Sequence, residues 1–282
     1  MWPLESSSRE YLRVCRGGIE RWTGRSTPLE FAAHCAVPPR AYELAAAGQR
    51  TDLEAALRGL YAEAPRSPVT LLVETALMPA LLVEAGAELW SRSQMQALLR
   101  HRLNHLYAQP NAPVEAWDTR IDFVAGESHG LGFGMTTALR HALVQSCASV
   151  GIECRALLPT LAWGLHRLQS SKQLTARGSW LGWAEQDRRL LARIEAGRVR
   201  SLNAAAGLGC DSSGLAKQIE IEQTRWGLAS DTGAILATAW NSNPAPVTAR
   251  QGASGDGVTW IDIGCVAAVQ VGSGCAIAQK NG

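Results

Sequence analysis

Apolar and polar residues alternate through residues 10–23, EYLRVCRGGIERWT, on both sides of Gly17-Gly18. Alternation around a Gly-Gly pair predicts a β-hairpin. Residues 29–37 supply a third strand, ended by Pro38-Pro39. Thr51-Asp52-Leu53-Glu54 reads as a capping box, its hydroxyl and carboxylate serving orphan amides reciprocally. Leu53, Ala56, Leu57, Leu60 and Tyr61 then follow at helical spacing and predict one buried stripe. Pro65 and Pro68 close that helix, and VTLLVE at 69–74 is the next strand.

After a break at Met78-Pro79, residues 80–84 predict another strand, and Ser91 is a suitable N-cap for a long helix. Met95, Leu98, Leu99, Leu103 and Leu106 fall within a band of roughly 140° on that helix. Residues 117–124 alternate strictly, with Ile121 and Phe123 on one face. Together these pieces predict a strand–helix–strand insertion over about residues 77–125. Met135, Leu139, Ala142, Leu143, Ser146 and Val150 trace a further helix stopped by Gly151. Residues 152–158 form a short strand, and Pro159 opens a helix carrying Leu161, Leu165 and Leu168.

A second cycle starts after the polar run SSKQLTARG. Strands are predicted at 180–184, 190–195 and 199–202, with turns at Gln186-Asp187 and Ala196-Gly197. Residues 213–226 predict a helix, although Ile219 and Ile221 at spacing two also fit a strand, and 234–240 predict a strand. Two consecutive βββαβ cycles are the layout of duplicated RNase H-like lobes, the α/β architecture of the actin-like ATPases. The expected domains are a first lobe at 1–172 holding the insertion, a second lobe at 173–241, and a linker with short C-terminal strands at 242–282.

Composition narrows the function classes. Lys and Arg number 27 against 25 Asp and Glu, a formal charge of +2 that gives no bulk pull toward nucleic acid or anionic lipid. Seven cysteines without a CxxC pair read as small buried hydrophobes in a reducing compartment. No stretch reaches about 18 uninterrupted apolar residues, so no membrane span is expected, and the opening MWPLESSSREYLR lacks the features of a signal peptide.

Candidate chemistry is sparse. HGLGFG at 129–134 is the best phosphate-loop candidate, because glycines ahead of a helix let amides approach an anion. It has no P-loop lysine, and a flexible connector is the simpler reading. His101 and His105 sit four apart on one helix without a HExxH glutamate, which favours a solvated or partner-facing flank over a metal site. Asp256 and Asp262 read as turn chemistry. No catalytic residue and no metal centre is expected.

The runs VTLLVETALMPALLVEAGAELWSRSQMQALLRHRLNHLYAQ, WDTRIDFV, MTTALRHALVQSCASVGIECRALLPTLAWGLHRL and WLGWAEQDRRLLARIEAGRVRSLNA resemble the PilM-like and GspL-like proteins. These are actin-like cytoplasmic components of type IV pilus and type II secretion assembly platforms. The resemblance covers roughly residues 50–205. It implies a scaffold at the cytoplasmic face of the inner membrane, docking a short cytoplasmic peptide of a membrane-anchored pilus or secretion subunit. The expected docking residues are Leu81 and Val83 of the 80–84 strand, with Arg100, His101, Asn104 and His105 on the helix flank that the apolar stripe leaves to face a partner. It also implies a nucleotide site, ATP with Mg, at Gly17, Gly18 and Gly182. The first turn has no aspartate before its glycines and the second has no glycine pair, so nucleotide hydrolysis is disfavoured. The alternative is an actin-fold ATPase or sugar-kinase-like enzyme, and homo-oligomerisation stays open.

Overall fold

The computed structural model describes residues 10–24, 29–61, 63, 65, 67–84, 91–107, 116–124, 127–170, 179–185, 189–204, 212–226, 233–238, 258–262, 264–265 and 276–277. The chain forms two compact units, one of Met1–Arg25, Ala32–Pro159 and Gln270–Gly282, the other of Ser26–Phe31 and Thr160–Val269.

The first unit is built on strands β1 (Glu10–Cys15), β2 (Gly18–Thr23), β3 (Leu29–Ala36), β4 (Val69–Val73) and β8 (Cys154–Pro159). Their order in the sheet is β3-β2-β1-β4-β8. The predicted hairpin pairs β1 with β2 antiparallel, whereas β4 runs parallel to both β1 and β8. Parallel central strands are covered on both faces, so β4 is buried at all five positions. The same coverage buries Arg13 and Glu20, which the alternation placed among the polar positions. Helices α1 (Pro39–Ala46), α2 (Thr51–Leu60) and α4 (Thr137–Ser149) pack on one another. The short helix α1 was not predicted, yet Pro39 in its first turn is a start signal, since proline there forfeits no hydrogen bond. The expected capping box at Thr51 is not formed: Arg50 occupies the N-cap with no side-chain bond, and Thr51 already lies inside the helix. Leu53, Ala56, Leu57 and Leu60 are buried as predicted.

Inserted between β4 and β8 is a three-stranded antiparallel sheet, β5 (Ala80–Glu84), β6 (Trp117–Asp122) and β7 (His129–Thr136), with helix α3 (Arg92–Tyr107) packed against it. Its strand order is β5-β7-β6, so the insertion extends past residue 125 to include β7. The α3 stripe holds for Met95, Leu99 and Leu103, each 0% exposed, but Leu106 is 58% exposed and falls outside it. Ser91 caps the helix as expected: Gln94 N–H donates to Ser91 Oγ at 3.3 Å while Ser91 N–H donates to Gln94 Oε1 at 2.7 Å.

The HGLGFG segment is neither a phosphate loop nor a connector. It is β7, the central strand of the inserted sheet, and Met135 belongs to it and not to the following helix. Leu131, Phe133 and Met135 are buried on the strand. A Cβ built on Gly132 would lie 2.6 Å from Leu99 Cδ2, and one on Gly134 would lie 2.2 Å from Leu103 Cδ1. These glycines are therefore a bed for α3, allowing leucine side chains to rest on bare backbone.

The second unit repeats the first in topology. Strands β9 (Ser179–Ala184), β10 (Arg189–Glu195), β11 (Arg198–Ala204), β12 (Gly233–Thr238) and β13 (Val258–Asp262) lie in the order β11-β10-β9-β12-β13, with β12 parallel to β9 and β13. Helices α5 (Thr160–Ser170) and α6 (Ser212–Trp226) belong to it. The turn at Ala196-Gly197 has φ of 48° and 74°, two consecutive left-handed residues that suit the twist of a two-residue hairpin. The fifth strand, β13, lies in the segment expected to be a linker with short C-terminal strands, and it pairs with β12 in the sheet of this unit. The turn at Gln186-Asp187, Asp256 and residues 242–257 lie outside the described residues, as do the side chains at 258–262.

Candidate functional site

Among the described residues, the β1–β2 turn, the ionic cluster beside it and a cavity concentrate the polar chemistry. The β1–β2 turn, Arg16-Gly17, is held from beneath by the protein itself. Val37 N–H donates to the Gly17 carbonyl at 3.1 Å, and the buried Tyr42 hydroxyl lies 2.7 Å from the Cys15 carbonyl and 3.1 Å from that of Gly18. Cys15 Sγ also donates to the Gly18 carbonyl, at 3.2 Å. A Cβ on Gly18 would lie 2.6 Å from both the Cys35 carbonyl oxygen and His34 Nε2. Glycine is required at 18 because β3 comes that close. Burial pushes the Cys15 thiol up to about 12, and burial likewise raises Tyr42, so both are neutral packing groups.

Below this turn lies a buried ionic cluster. Arg13 on β1 donates through Nη1 to Glu20 Oε2 of β2 at 2.7 Å, and through Nε to Glu74 Oε1, just after β4, at 3.0 Å. Its Nη2 also reaches Glu74, and Trp22 Nε1 donates to Glu20 Oε2 at 2.8 Å. Burial works against the guanidinium charge, but Glu20 and Glu74 outweigh it and hold the Arg13 pKa above its ordinary value. Glu20 and Glu74 are thus both engaged by this arginine. The second unit has a smaller counterpart: Glu185, buried at the end of β9, accepts from Trp183 Nε1 at 3.0 Å and from the Thr160 hydroxyl.

The cavity belongs to the first unit, with a volume of about 700 Å³. Residues 118–121 of β6 and 154–157 of β8 line it, with Arg92, Gln96 and Arg100 of α3 and Arg140 and Val144 of α4. Consecutive residues line it along both strands, where a strand face would contribute every second one. The cavity therefore runs beside the edges of β6 and β8, which are the terminal strands of their sheets among the described residues.

The expected docking residues separate against this geometry. Val83 is fully buried in the core of the inserted subdomain with Met95, Leu99, Leu103, Ile121 and Phe123, and Leu81 packs partly buried against that cluster. Val83 therefore offers no docking face, and Leu81 keeps only part of its side chain accessible. Asn104 Oδ1 accepts from Trp117 Nε1 at 2.9 Å and so fastens α3 to β6. His101 and His105 are exposed, and no group of three metal-ligating side chains occurs among the described residues. Arg100 alone of the six lines the cavity. Of the other cavity arginines, Arg92 shares α3 with Arg100, while Arg120, Arg140 and Arg155 come from β6, α4 and β8, and no single segment shows them converging.

Comparison with known proteins follows from the topology. No protein-family model matches the sequence, and no curated sequence matches it significantly. Among solved structures, a Bacteroides thetaiotaomicron protein with actin-like ATPase fold and unknown function aligns with a TM-score of 0.50 at 11% identity, over 86% of this chain and 87% of that one. The chain has the actin-like ATPase fold. Also similar are the cytoplasmic domain of EpsL, an inner membrane component of the type II secretion system of Vibrio cholerae, and the PilM–PilN type IV pilus biogenesis complex. EpsL aligns with a TM-score of 0.45 at 14% identity, over 81% of this chain and 80% of that one. The PilM–PilN match has a TM-score of 0.47 at 8% identity, over 83% of this chain and 81% of that one. At such identities the likeness speaks to the fold alone.

In this actin-like chain, Gly18 serves the approach of β3, and Gly182 lies mid-strand, buried in β9 opposite Leu191 and Leu236. Gly182 is thus a sheet residue with no place at a turn. No helix among the described residues is long and apolar enough to cross a membrane.

Proposed function

We propose that this chain is a non-enzymatic actin-like scaffold of a type IV pilus or type II secretion assembly platform. It acts at the cytoplasmic face of the inner membrane, holding the cytoplasmic segment of a membrane-anchored subunit beside its inserted subdomain. The observation that carries this reading is the cavity between the inserted subdomain and the β8 edge, a peptide-sized recess at 700 Å³ with two strand edges on its walls. The sequence resemblance over residues 50–205 supports the choice of system. Support for the non-enzymatic part comes from Glu20 and Glu74, whose buried carboxylates are both engaged by Arg13. An actin-fold ATPase needs an acidic group available to position magnesium and water.

Two measurements test it together. Immobilised full-length protein is expected to retain at least one N-terminal cytoplasmic peptide of the inner-membrane pilus or secretion subunits, with affinity in the tens of micromolar. ATP with magnesium is expected to leave the melting temperature unchanged. Failure of every such peptide would refute the scaffold, and a saturable stabilisation by ATP that Gly17→Ala abolishes would replace it with an actin-fold enzyme.

A further inference from the structure

We infer that the cavity beside the inserted subdomain selects an acidic, extended peptide segment, a deepening that rests on the scaffold reading. Five arginines line it: Arg92 and Arg100 from α3, Arg120 from β6, Arg140 from α4 and Arg155 from β8. One carboxylate, Asp118, shares the lining and is paired with Arg140. The chain as a whole is nearly balanced, at 27 cationic against 25 anionic side chains. Five positive groups against one negative in a single recess is therefore a local arrangement and not a consequence of composition. Low-dielectric walls focus such a field on whatever enters.

The remaining lining decides which kind of anion fits. Val144 and Leu157, both half-buried, give the recess an apolar component over a floor closed by Met78, Ile121 and Met135. A polyphosphate or nucleic acid backbone gains nothing from those side chains, whereas a peptide alternating acidic and apolar residues meets both. The two strand edges complete the match. β6 and β8 present their backbone along the cavity, and an incoming extended segment adds to such an edge through main-chain hydrogen bonds. The guanidinium groups bordering the recess then favour its carboxylates by charge. Side chains alternate on a strand, so a segment with carboxylates at every second position presents one acidic and one apolar face.

The test uses the full chain and two fluorescein-labelled octapeptide pools, one alternating Asp or Glu with Leu, Ile, Val or Phe, the other replacing each acid by Lys. Fluorescence polarisation is expected to show binding of the acidic pool at least roughly tenfold tighter than the basic pool, weakening as salt rises. Arg100→Glu and Arg155→Glu, both at exposed positions, are each expected to weaken acidic binding by about tenfold. Arg58→Glu, on the exposed face of α2, is expected to change it little. Circular dichroism confirms that each variant is folded. Equal binding of the two pools, or acidic binding indifferent to the reversals at 100 and 155, overturns the inference. Inorganic pyrophosphate or a short single-stranded DNA displacing the acidic pool at equal or lower concentration also overturns it, leaving a general anion site. If neutral or basic segments of the membrane subunits bind with affinities unaffected by these reversals, the scaffold reading stands while this inference fails.

Discussion

The glycines of β7 make a sharp test of how the inserted subdomain is built. In Gly134→Ala the new methyl would sit 2.2 Å from Leu103 Cδ1 and 3.2 Å from Trp117 Cε3. Carbon atoms in contact normally stand about 3.5–4 Å apart, so Leu103 must yield by more than an ångström. It cannot swing to solvent, because it is 0% exposed among Val83, Met95 and Leu99. Overpacking of this kind costs about 1–3 kcal/mol. Leu103→Ala alone leaves a cavity and costs about 2–5 kcal/mol. In the double variant the added methyl occupies part of the space vacated by the leucine. The pair is therefore expected to be less destabilised than the sum of the singles by about 1–2 kcal/mol, inside the range for residues in contact. Urea titration followed by circular dichroism gives the global values, and amide exchange at residues 129–136 reads the subdomain itself. Strict additivity, or a Gly134→Ala cost within about 0.5 kcal/mol of zero, would refute the idea that these glycines exist to receive α3.

Arg13→Met is expected to destabilise the first unit by about 3–5 kcal/mol, because Glu20 and Glu74 are then left buried without their cation; a loss under about 1 kcal/mol in the urea midpoint comparison would show that the cluster is dispensable. Thiol titration gives a separate check. Burial pushes Cys15 and Cys147 from 9.0 up to about 12, so the fold keeps both protonated while the unfolded chain ionises them. Their contribution to stability is complete below about pH 9 and is lost as pH rises towards 12. Alkylation by iodoacetamide at pH 8.5 should accordingly be slow at both until the protein is unfolded, and rapid native labelling of either would contradict their placement.

Much of the architecture is legible because local periods survive in it. The alternation through 117–123 and the helical stripe Met95-Leu99-Leu103 describe surfaces that one element buries against its nearest neighbours. β7 escaped notice for a physical reason: its glycines lie on the side facing α3, so half of its apolar signature is missing. The alternation of Leu131, Phe133 and Met135 with glycine was nevertheless present in the sequence. Arg13 shows the opposite limit, since nothing in the hairpin's alternation marks this charged residue as buried, and its burial follows from the central place of β1 in the sheet. Leu106 obeys the period but stands 58% exposed, because a stripe near a helix end outruns the sheet beneath it. The cavity was the least legible feature. Its arginines lie on four elements drawn together by strand pairing and packing, and nothing in one stretch of sequence records that convergence.

The buried Arg13 cluster has a consequence for how the chain reaches its fold. β1 and β4 pair parallel across a separation that places Arg13 and Glu74 61 residues apart in sequence. Long apolar strands such as VTLLV can pair in several registers at nearly equal hydrophobic gain, since every offset still buries aliphatic side chains. Only one offset brings Glu74 to the guanidinium. Every other leaves a charge stranded in the interior, a penalty of several kcal/mol per ion. The ionic cluster thus acts as proofreading during sheet assembly, rejecting misaligned pairings that oil-like burial by itself would accept.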